Sequence, residues 1–272
     1  PITWQNIIWK SRLPQALTAL VAGAGLSISG LQMQTVFRNP LAGPSVLGIS
    51  SGASMGVAFV VLLSGSLGGV ALSKLGFMGE IALSIAAVIG SLSVMALIVY
   101  VSQKVKGNVT LLIIGVMIGY VANAVIGVLK FFSVEEDIRA YVIWGLGSFA
   151  RVSGNQMTLF VILMTILIPL SFLLIKTMNL MLLGDSYARN LGLNIKRARL
   201  LVITSAGVLT AIVTAYCGPI IFLGLAVPHL CRAIFQTSDH RILMPAVLFA
   251  GAALALICNL IARMPGFEGA LP

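Results

Sequence analysis

Two short stretches contain residue types that could carry out catalysis or bind a metal ion. Residues 48–52 read GISSG, which fits the G-x-S-x-G pattern of a serine nucleophile at Ser50. That chemistry needs a strand, a turn and a helix around the serine, and a partner histidine. Both histidines, His229 and His240, are far from Ser50 in sequence. An intramembrane hydrolase is thus one alternative function.

The second stretch is the H-x-C pair formed by His229 and Cys231. No second ligand pair accompanies it, and the three cysteines form no C-x-x-C motif. The chain also contains no Gly-Lys pair, so it cannot form the P-loop that cradles nucleotide phosphates. We therefore predict no catalytic, cofactor-binding or metal-ligating residues, and energy from ATP would have to come through another subunit.

Composition indicates the environment in which the chain folds. Of its 272 residues, 59% are hydrophobic and 9% are charged, whereas soluble domains have about 25% charged residues. One soluble core could not bury so much apolar surface, so lipid must be part of the solvent. The net charge of +10 then reflects basic residues that flank membrane spans, and we expect no nucleic-acid partner.

Apolar segments long enough to cross a bilayer follow one another along the chain, so the sequence predicts an all-α polytopic helical bundle. Prolines, glycines and charge clusters separate the segments. Connection 133–155 is longer than most and has an amphipathic middle. The eight predicted spans are 14–36, 44–64, 80–101, 109–132, 156–176, 199–217, 219–235 and 242–262.

Loop charges predict the orientation of these spans. Adding the charges on alternate sides gives +8 on one side and +2 on the other, and the more basic side should be cytoplasmic. Connection 133–155 then lies on the periplasmic side, and all three tryptophans (Trp4, Trp9 and Trp144) lie at the outer interface. With eight spans both ends lie outside, so we expect one further span before the sequence and one after it.

Segment 181–199 is the longest cytoplasmic connection and is unusually polar for this chain. Gly184 interrupts the preceding span, and Asp185 is a good N-cap for a short helix that Gly192 would end. Tyr187, Ala188 and Leu191 would give this helix a small apolar face. A solvated loop is the alternative. The functional interpretation is a helix along the membrane face that fits a groove on a cytoplasmic partner.

Glycines four residues apart form two small-xxx-small ridges, and packing is the default role of such ridges. One ridge comprises Gly48, Gly52 and Gly56, and the other comprises Gly115 and Gly119.

Four stretches resemble the permease subunits of iron-chelate, haem and vitamin B12 ABC importers, the FecCD family. SGLQMQTVFRNPLAGPSVLGISSGAS (29–54) and GPIIFLGLAVPHLCR (218–232) are similar to its two signatures. RLPQALTALVAGAGLSISG (12–30) is similar to the start of its second span, and GDSYARNLGL (184–193) to its cytoplasmic coupling segment. The resemblance covers nearly the whole chain.

The resemblance implies a type II importer permease of ten spans, of which residues 1–272 would be one transmembrane domain holding spans two to nine. It also implies a bacterial inner-membrane assembly of two permease subunits (here a homodimer), two cytoplasmic ABC ATPases and a periplasmic substrate-binding protein. Segment 181–199 would couple the permease to the ATPases. The coupling residues would be Gly184, Asp185, Tyr187, Ala188, Arg189, Leu191 and Gly192.

Other roles carried over from the family concern the outer face and the substrate path. Arg12 and Arg263 match positions at which arginines meet acidic residues of the binding protein, whereas Gln15 stands where a further arginine is common. Ser50, Ser51 and Asn123 lie on spans that would border the translocation path.

We therefore predict a permease that imports an iron chelate, either a ferric siderophore or haem, and vitamin B12 is the alternative substrate. The rival class is an autonomous secondary transporter or channel. Ionisable residues deep within the spans are nearly absent, which argues against proton coupling.

Overall fold

The regular structure of the chain is helical, as the sequence predicts. A computed structural model describes residues 2–66, 77–105, 107–152 and 154–262, and no strand occurs in these ranges. A π-helical segment, Ile8–Arg12, joins the first two helices. The α-helices are α1 (Ile2–Ile7), α2 (Leu13–Phe37), α3 (Ile49–Ser66), α4 (Phe77–Lys104), α5 (Asn108–Phe131), α6 (Glu135–Gly145), α7 (Gly154–Phe172), α8 (Ile175–Leu182), α9 (Asp185–Asn190), α10 (Ile195–Cys217), α11 (Leu223–Phe235) and α12 (His240–Ile261).

Each of the eight predicted spans coincides with an apolar helix, but the helices differ in length. Among the described residues, five are long and apolar enough to cross a membrane, and the pair α7–α8, bent by 45°, makes a sixth. Helices α3 and α11 are shorter. The chain is thus a multi-pass membrane protein.

The predicted span 219–235 is helical only from Leu223, which corrects its start. Gly218 has φ +80°, a conformation that favours glycine, and Pro219 cannot donate a helical hydrogen bond. The 13 residues of α11 reach about 20 Å, less than the ~30 Å of a bilayer core.

The first of two compact units comprises Pro1–Pro44, Phe149–Leu209 and Ile221–Pro272, and α2 is its central helix. Small residues allow its neighbours to approach the α2 backbone closely. A Cβ atom built on Gly30 would overlap the carbonyl oxygen of Gly224 in α11, and one on Gly23 would overlap that of Gly251 in α12. The backbones of α11 and α12 therefore lie directly against α2.

The second unit comprises Ser45–Ser148 and Thr210–Ile220, and α3 is central to it. Gly52 and Gly56 pack against the backbone of α4, so this part of the predicted ridge is confirmed. Gly48 departs from the ridge: it lies before α3 with φ +73° and packs against Gly115 of α5. The ridge thus divides between two neighbouring helices.

Helix α6 is the amphipathic part of the predicted connection 133–155, and one of its faces is buried in the second unit. Tyr141 forms a side-chain hydrogen bond with Ser54 of α3. Trp144 is only 2% exposed, so its side chain packs within the unit and does not face lipid there. A tryptophan one turn from a buried tyrosine lies on the same helix face, which here packs inwards.

Asp137, in the first turn of α6, is a buried carboxylate. Burial, followed by the charge of Glu136, raises its pKa above the usual 3.8. Stability should therefore decrease as pH rises from 3.8 through the raised pKa, because the folded state retains a proton that the unfolded state releases.

We expect Asp137→Asn to raise the melting temperature at about pH 8 and to have a smaller effect at about pH 5. Thermal unfolding of the purified protein at both pH values measures this. Glu135→Gln, which removes an exposed carboxylate from the same turn, is the matched control. An equal shift at both pH values would contradict the assignment.

Candidate functional site

Helix α9 forms the polar segment that the sequence singles out. The end of this helix agrees with the prediction, but its N-cap does not. Gly184, with φ +98°, is the N-cap, and Asp185 is already the first helical residue. The predicted N-cap role of Asp185 is therefore wrong. The predicted end is confirmed: Gly192 has φ +87°, its N–H bonds the Arg189 carbonyl, and the Leu193 N–H bonds the Ala188 carbonyl. These two bonds form a Schellman motif.

The Asp185 carboxylate bridges α9 to two other elements of the first unit. Its Oδ1 lies 2.5 Å from Nη2 of Arg38, and its Oδ2 lies 3.7 Å from Nη2 of Arg199 in α10. Arg38 also donates to the carbonyl of Met181 at 3.1 Å. These contacts connect α9 with the end of α2, where the RNPLAGP stretch begins.

The backbone conformation of Arg38 is unusual for a residue other than glycine. Arg38 ends α2 in the left-handed conformation, with φ +49° and ψ +38°. A residue other than glycine pays roughly 1 kcal/mol for this conformation. The side chain of Arg38 contacts Asp185 and the Met181 carbonyl, and these contacts anchor the chain where it leaves α2.

The apolar surface of α9 is narrower than the sequence suggests. Tyr187 and Leu191 are 71% and 62% exposed, whereas Ala188 is completely buried. Residues four apart share a helix face, so Tyr187 and Leu191 point outwards together while Ala188 packs against the unit. Arg189 is also exposed. The predicted three-residue apolar face is therefore an exposed pair and one buried contact.

A buried polar cluster connects α8 and α12 to α2. His240, at the start of α12, is fully buried. Its Nε2 lies 2.7 Å from Thr35 Oγ1 of α2, and its Nδ1 lies 2.7 Å from Asn179 Oδ1 of α8. The sequence gives no signal for this cluster, because its members are distant along the chain.

Asp239 extends this cluster and is the N-cap of α12. Its carboxylate accepts the Arg241 N–H at 2.9 Å and the Asn179 amide at 2.7 Å. The hydrogen bond from the Arg241 backbone, followed by that from Asn179, lowers the pKa of Asp239 below 3.8. Asp239 is therefore ionised at neutral pH, and it orients the Asn179 amide towards His240.

In the second unit, the structure separates the three residues predicted along the substrate path. Ser51 and Asn123 line a groove of about 190 Å³ between the start of α3 and α5, together with Gly115, Gly119 and Tyr120. Ser50 is buried elsewhere, with its hydroxyl 3.5 Å from that of Thr214. It follows a 3-10 turn, Pro44–Leu47, rather than a strand.

Of the two arginines predicted to contact a binding protein, the structure describes only Arg12. Arg12 is exposed at the end of the π-helical segment. Arg263 lies outside the described residues. Gln15, three residues after Arg12, is buried at 4% exposure, so its side chain is not part of the same surface.

With this geometry established, the comparison with known proteins assigns the family. A model of the FecCD transport family matches residues 3–272. The chain belongs to the FecCD transport family. The resemblance that the sequence motifs carry is thereby confirmed, and this FecCD chain is a transport permease.

Individual relatives agree with this assignment. The FecCD chain is 35% identical over 268 residues to the vitamin B12 import system permease protein BtuC of Klebsiella pneumoniae, covering 98% of this chain and 77% of the relative. It is 36% identical over 264 residues to the hemin transport system permease protein HmuU of Yersinia pestis, covering 96% and 75%.

A solved structure is also similar. It is described as an inward-facing conformation of a proposed metal-chelate type ABC transporter, with a TM-score of 0.88 and 29% identity, and the match covers 100% of this chain and 83% of that chain. The FecCD chain therefore has the fold of an ABC importer permease.

Proposed function

We propose that this permease imports an iron chelate, a ferric siderophore or haem, across the bacterial inner membrane. Two separate cytoplasmic ABC ATPases power it, and a periplasmic binding protein delivers the substrate to a permease homodimer. The observation that carries the proposal is α9, a short polar helix that exposes an aromatic and an aliphatic side chain in an otherwise apolar chain.

The coupling role of α9 follows from its surface and its attachment. Tyr187 and Leu191 provide an apolar anchor, and exposed Arg189 provides charge beside it. A rigid aromatic residue with an adjacent arginine is typical of the centres of protein interfaces. Gly184 and Gly192 bound this segment, and Asp185 attaches it to the rest of the first unit.

The first test concerns the ion pairs that the Asp185 carboxylate forms with Arg38 and Arg199. We expect Asp185→Asn to retain ATPase association but to reduce uptake several-fold, because α9 would no longer be tied to Arg38 and Arg199. Both side chains of the Arg38–Asp185 pair are more than 40% exposed. The change should therefore alter stability by less than about 1 kcal/mol.

Uptake and co-purified ATPase, measured on the same preparations, separate coupling from binding. Asp185→Glu keeps the carboxylate and is the matched control, for which we expect substantial recovery of uptake. Wild-type uptake by the Asp185→Asn variant would show that the bridge plays no part in coupling.

The outer face and the substrate path complete the proposed transport function. Arg12 and Arg263 would pair with acidic residues on the binding protein, since charge pairs fix register and accelerate encounter. Ser51 and Asn123 would border the path through the second unit. Ser50 would not line the path, and would instead contribute to packing beside it through its contact with Thr214. The groove contains hydroxyl and amide groups but no charged side chain, which suits a large substrate that must be released.

The choice of substrate is between an iron chelate and vitamin B12. The relatives named for vitamin B12 and for hemin are similar to this chain to nearly the same extent, at 35% and 36% identity. We favour an iron chelate because two of its forms, siderophore and haem, fall within the range of the family motifs. Calorimetric titration of the cognate binding protein with a ferric siderophore, haem and cobalamin tests this. Binding of cobalamin alone would replace the iron chelate by vitamin B12.

A further inference from the structure

A cavity of about 350 Å³ whose lining includes two arginines lies in the first unit next to the start of α9. The proposed transport function assigns no ligand to this cavity. Its lining combines side chains from the end of α2, from α11 and from the link before α12. Those relevant here are Gln34, Arg38, Asn39, Arg232 and Ser238.

Arg232 brings a positive charge to this cavity without a carboxylate to balance it. Its guanidinium donates to Oε1 of Gln34. Gln34 is held in turn by a bond from its amide to the carbonyl of Leu225, at 3.2 Å. Among the described residues, no carboxylate lies within 4.0 Å of Arg232. The side chain is partly buried, so an uncompensated charge is costly there.

Arg38 increases the imbalance. It shares the Asp185 carboxylate with Arg199, so one carboxylate serves two guanidinium groups there. Arg232 has no carboxylate within 4.0 Å in the part of the chain that the structure describes. An anion in the cavity would supply the missing charge.

We propose that this cavity binds a phosphate group through Arg232 and Arg38. Guanidinium groups bind phosphate through paired, charge-assisted hydrogen bonds. Two neutral side chains add to the site. Asn39 uses its oxygen to accept the Leu41 N–H, which leaves its NH2 group as a donor, and Ser238 adds a hydroxyl.

Two sources can provide this chemistry: the headgroup of an anionic lipid and soluble phosphate. Basic pockets between membrane helices on the cytoplasmic side bind acidic headgroups, and loop charges predict that this end of the unit is cytoplasmic. The experiment needs one arm for each source.

The lipid arm uses native mass spectrometry of the full permease–ATPase complex, purified from bilayers that contain equal amounts of phosphatidylglycerol and phosphatidylcholine. We expect selective retention of phosphatidylglycerol, reduced roughly tenfold or more by Arg232→Gln. The soluble arm measures the melting temperature in inorganic phosphate and in chloride at equal ionic strength. There, phosphate should stabilise the wild type more than Arg232→Gln.

Arg241→Gln is the control, because it removes an exposed guanidinium from the same end of the unit but outside the cavity. If Arg232→Gln does not fold, Arg38→Gln takes its place in both arms. A selective effect in the lipid arm identifies a headgroup, and one in the soluble arm alone identifies free phosphate. The proposal is overturned if neither arm distinguishes the cavity variants from the wild type, or if Arg241→Gln has an equal effect.

Discussion

Replacing Asp185–Gly192 by a glycine–serine linker of equal length is expected to abolish co-purification of the ATPase subunits and leave membrane insertion intact. The segment contributes little to the core of the first unit, since only Ala188 within α9 is buried. It does contribute the exposed pair Tyr187 and Leu191. Without that pair the ATPase would lose its apolar anchor on the permease.

A smaller change tests the same surface without altering the backbone. Tyr187→Ala should weaken ATPase association roughly tenfold or more, because truncating a central interface tyrosine commonly costs about 2 kcal/mol. Ser186→Ala is the matched control, because it trims an exposed neighbouring side chain on the same short helix. Unchanged recovery of the ATPase after linker replacement would refute the coupling role of α9.

Gly30→Ala is expected to destabilise the permease by about 3 kcal/mol or more, the upper range for overpacking a core. The added methyl group would overlap the carbonyl oxygen of Gly224. That backbone atom cannot rotate away as a side chain could, so α2 and α11 would have to separate.

Gly127→Ala is the identical chemical change at a position where no atom beyond the local backbone of α5 lies within 4 Å of the new methyl group. It should be neutral or should stabilise α5 by up to about 1 kcal/mol, because alanine favours helix more than glycine. Melting temperatures of both variants in one detergent measure the contrast. Equal melting temperatures for Gly30→Ala and wild type would contradict the close packing of α2 and α11.

Local features of the fold were predictable from the sequence. Apolar runs predicted the apolar helix in each of the eight spans, with the largest errors at the starts of α3 and α11. Span 44–64 begins with the 3-10 turn Pro44–Leu47 and is α-helical only from Ile49, and Gly218 and Pro219 shorten α11. Gly192 predicted the end of α9 because its left-handed conformation is a local property of the chain. The face of α9 was less certain, since three apolar residues in one and a half turns fit more than one orientation.

Long-range contacts of the site were not predictable, because periodicity and capping signals extend over only a few residues. Asp185 binds Arg38 across 147 positions, and Arg232 binds Gln34 across 198. His240 meets Thr35 across 205 positions. The sequence showed that these side chains are polar and share the predicted cytoplasmic side, but only the packing of α2 among its neighbours brings them together.

The most direct test is whether transport by this chain requires separate ATPase subunits. It measures substrate uptake into proteoliposomes that contain the permease, with and without the ATPase. We predict that uptake requires the ATPase, ATP and loaded binding protein, and that vanadate blocks it. Uptake that persists without any ATPase would contradict the account and would identify an autonomous transporter or channel.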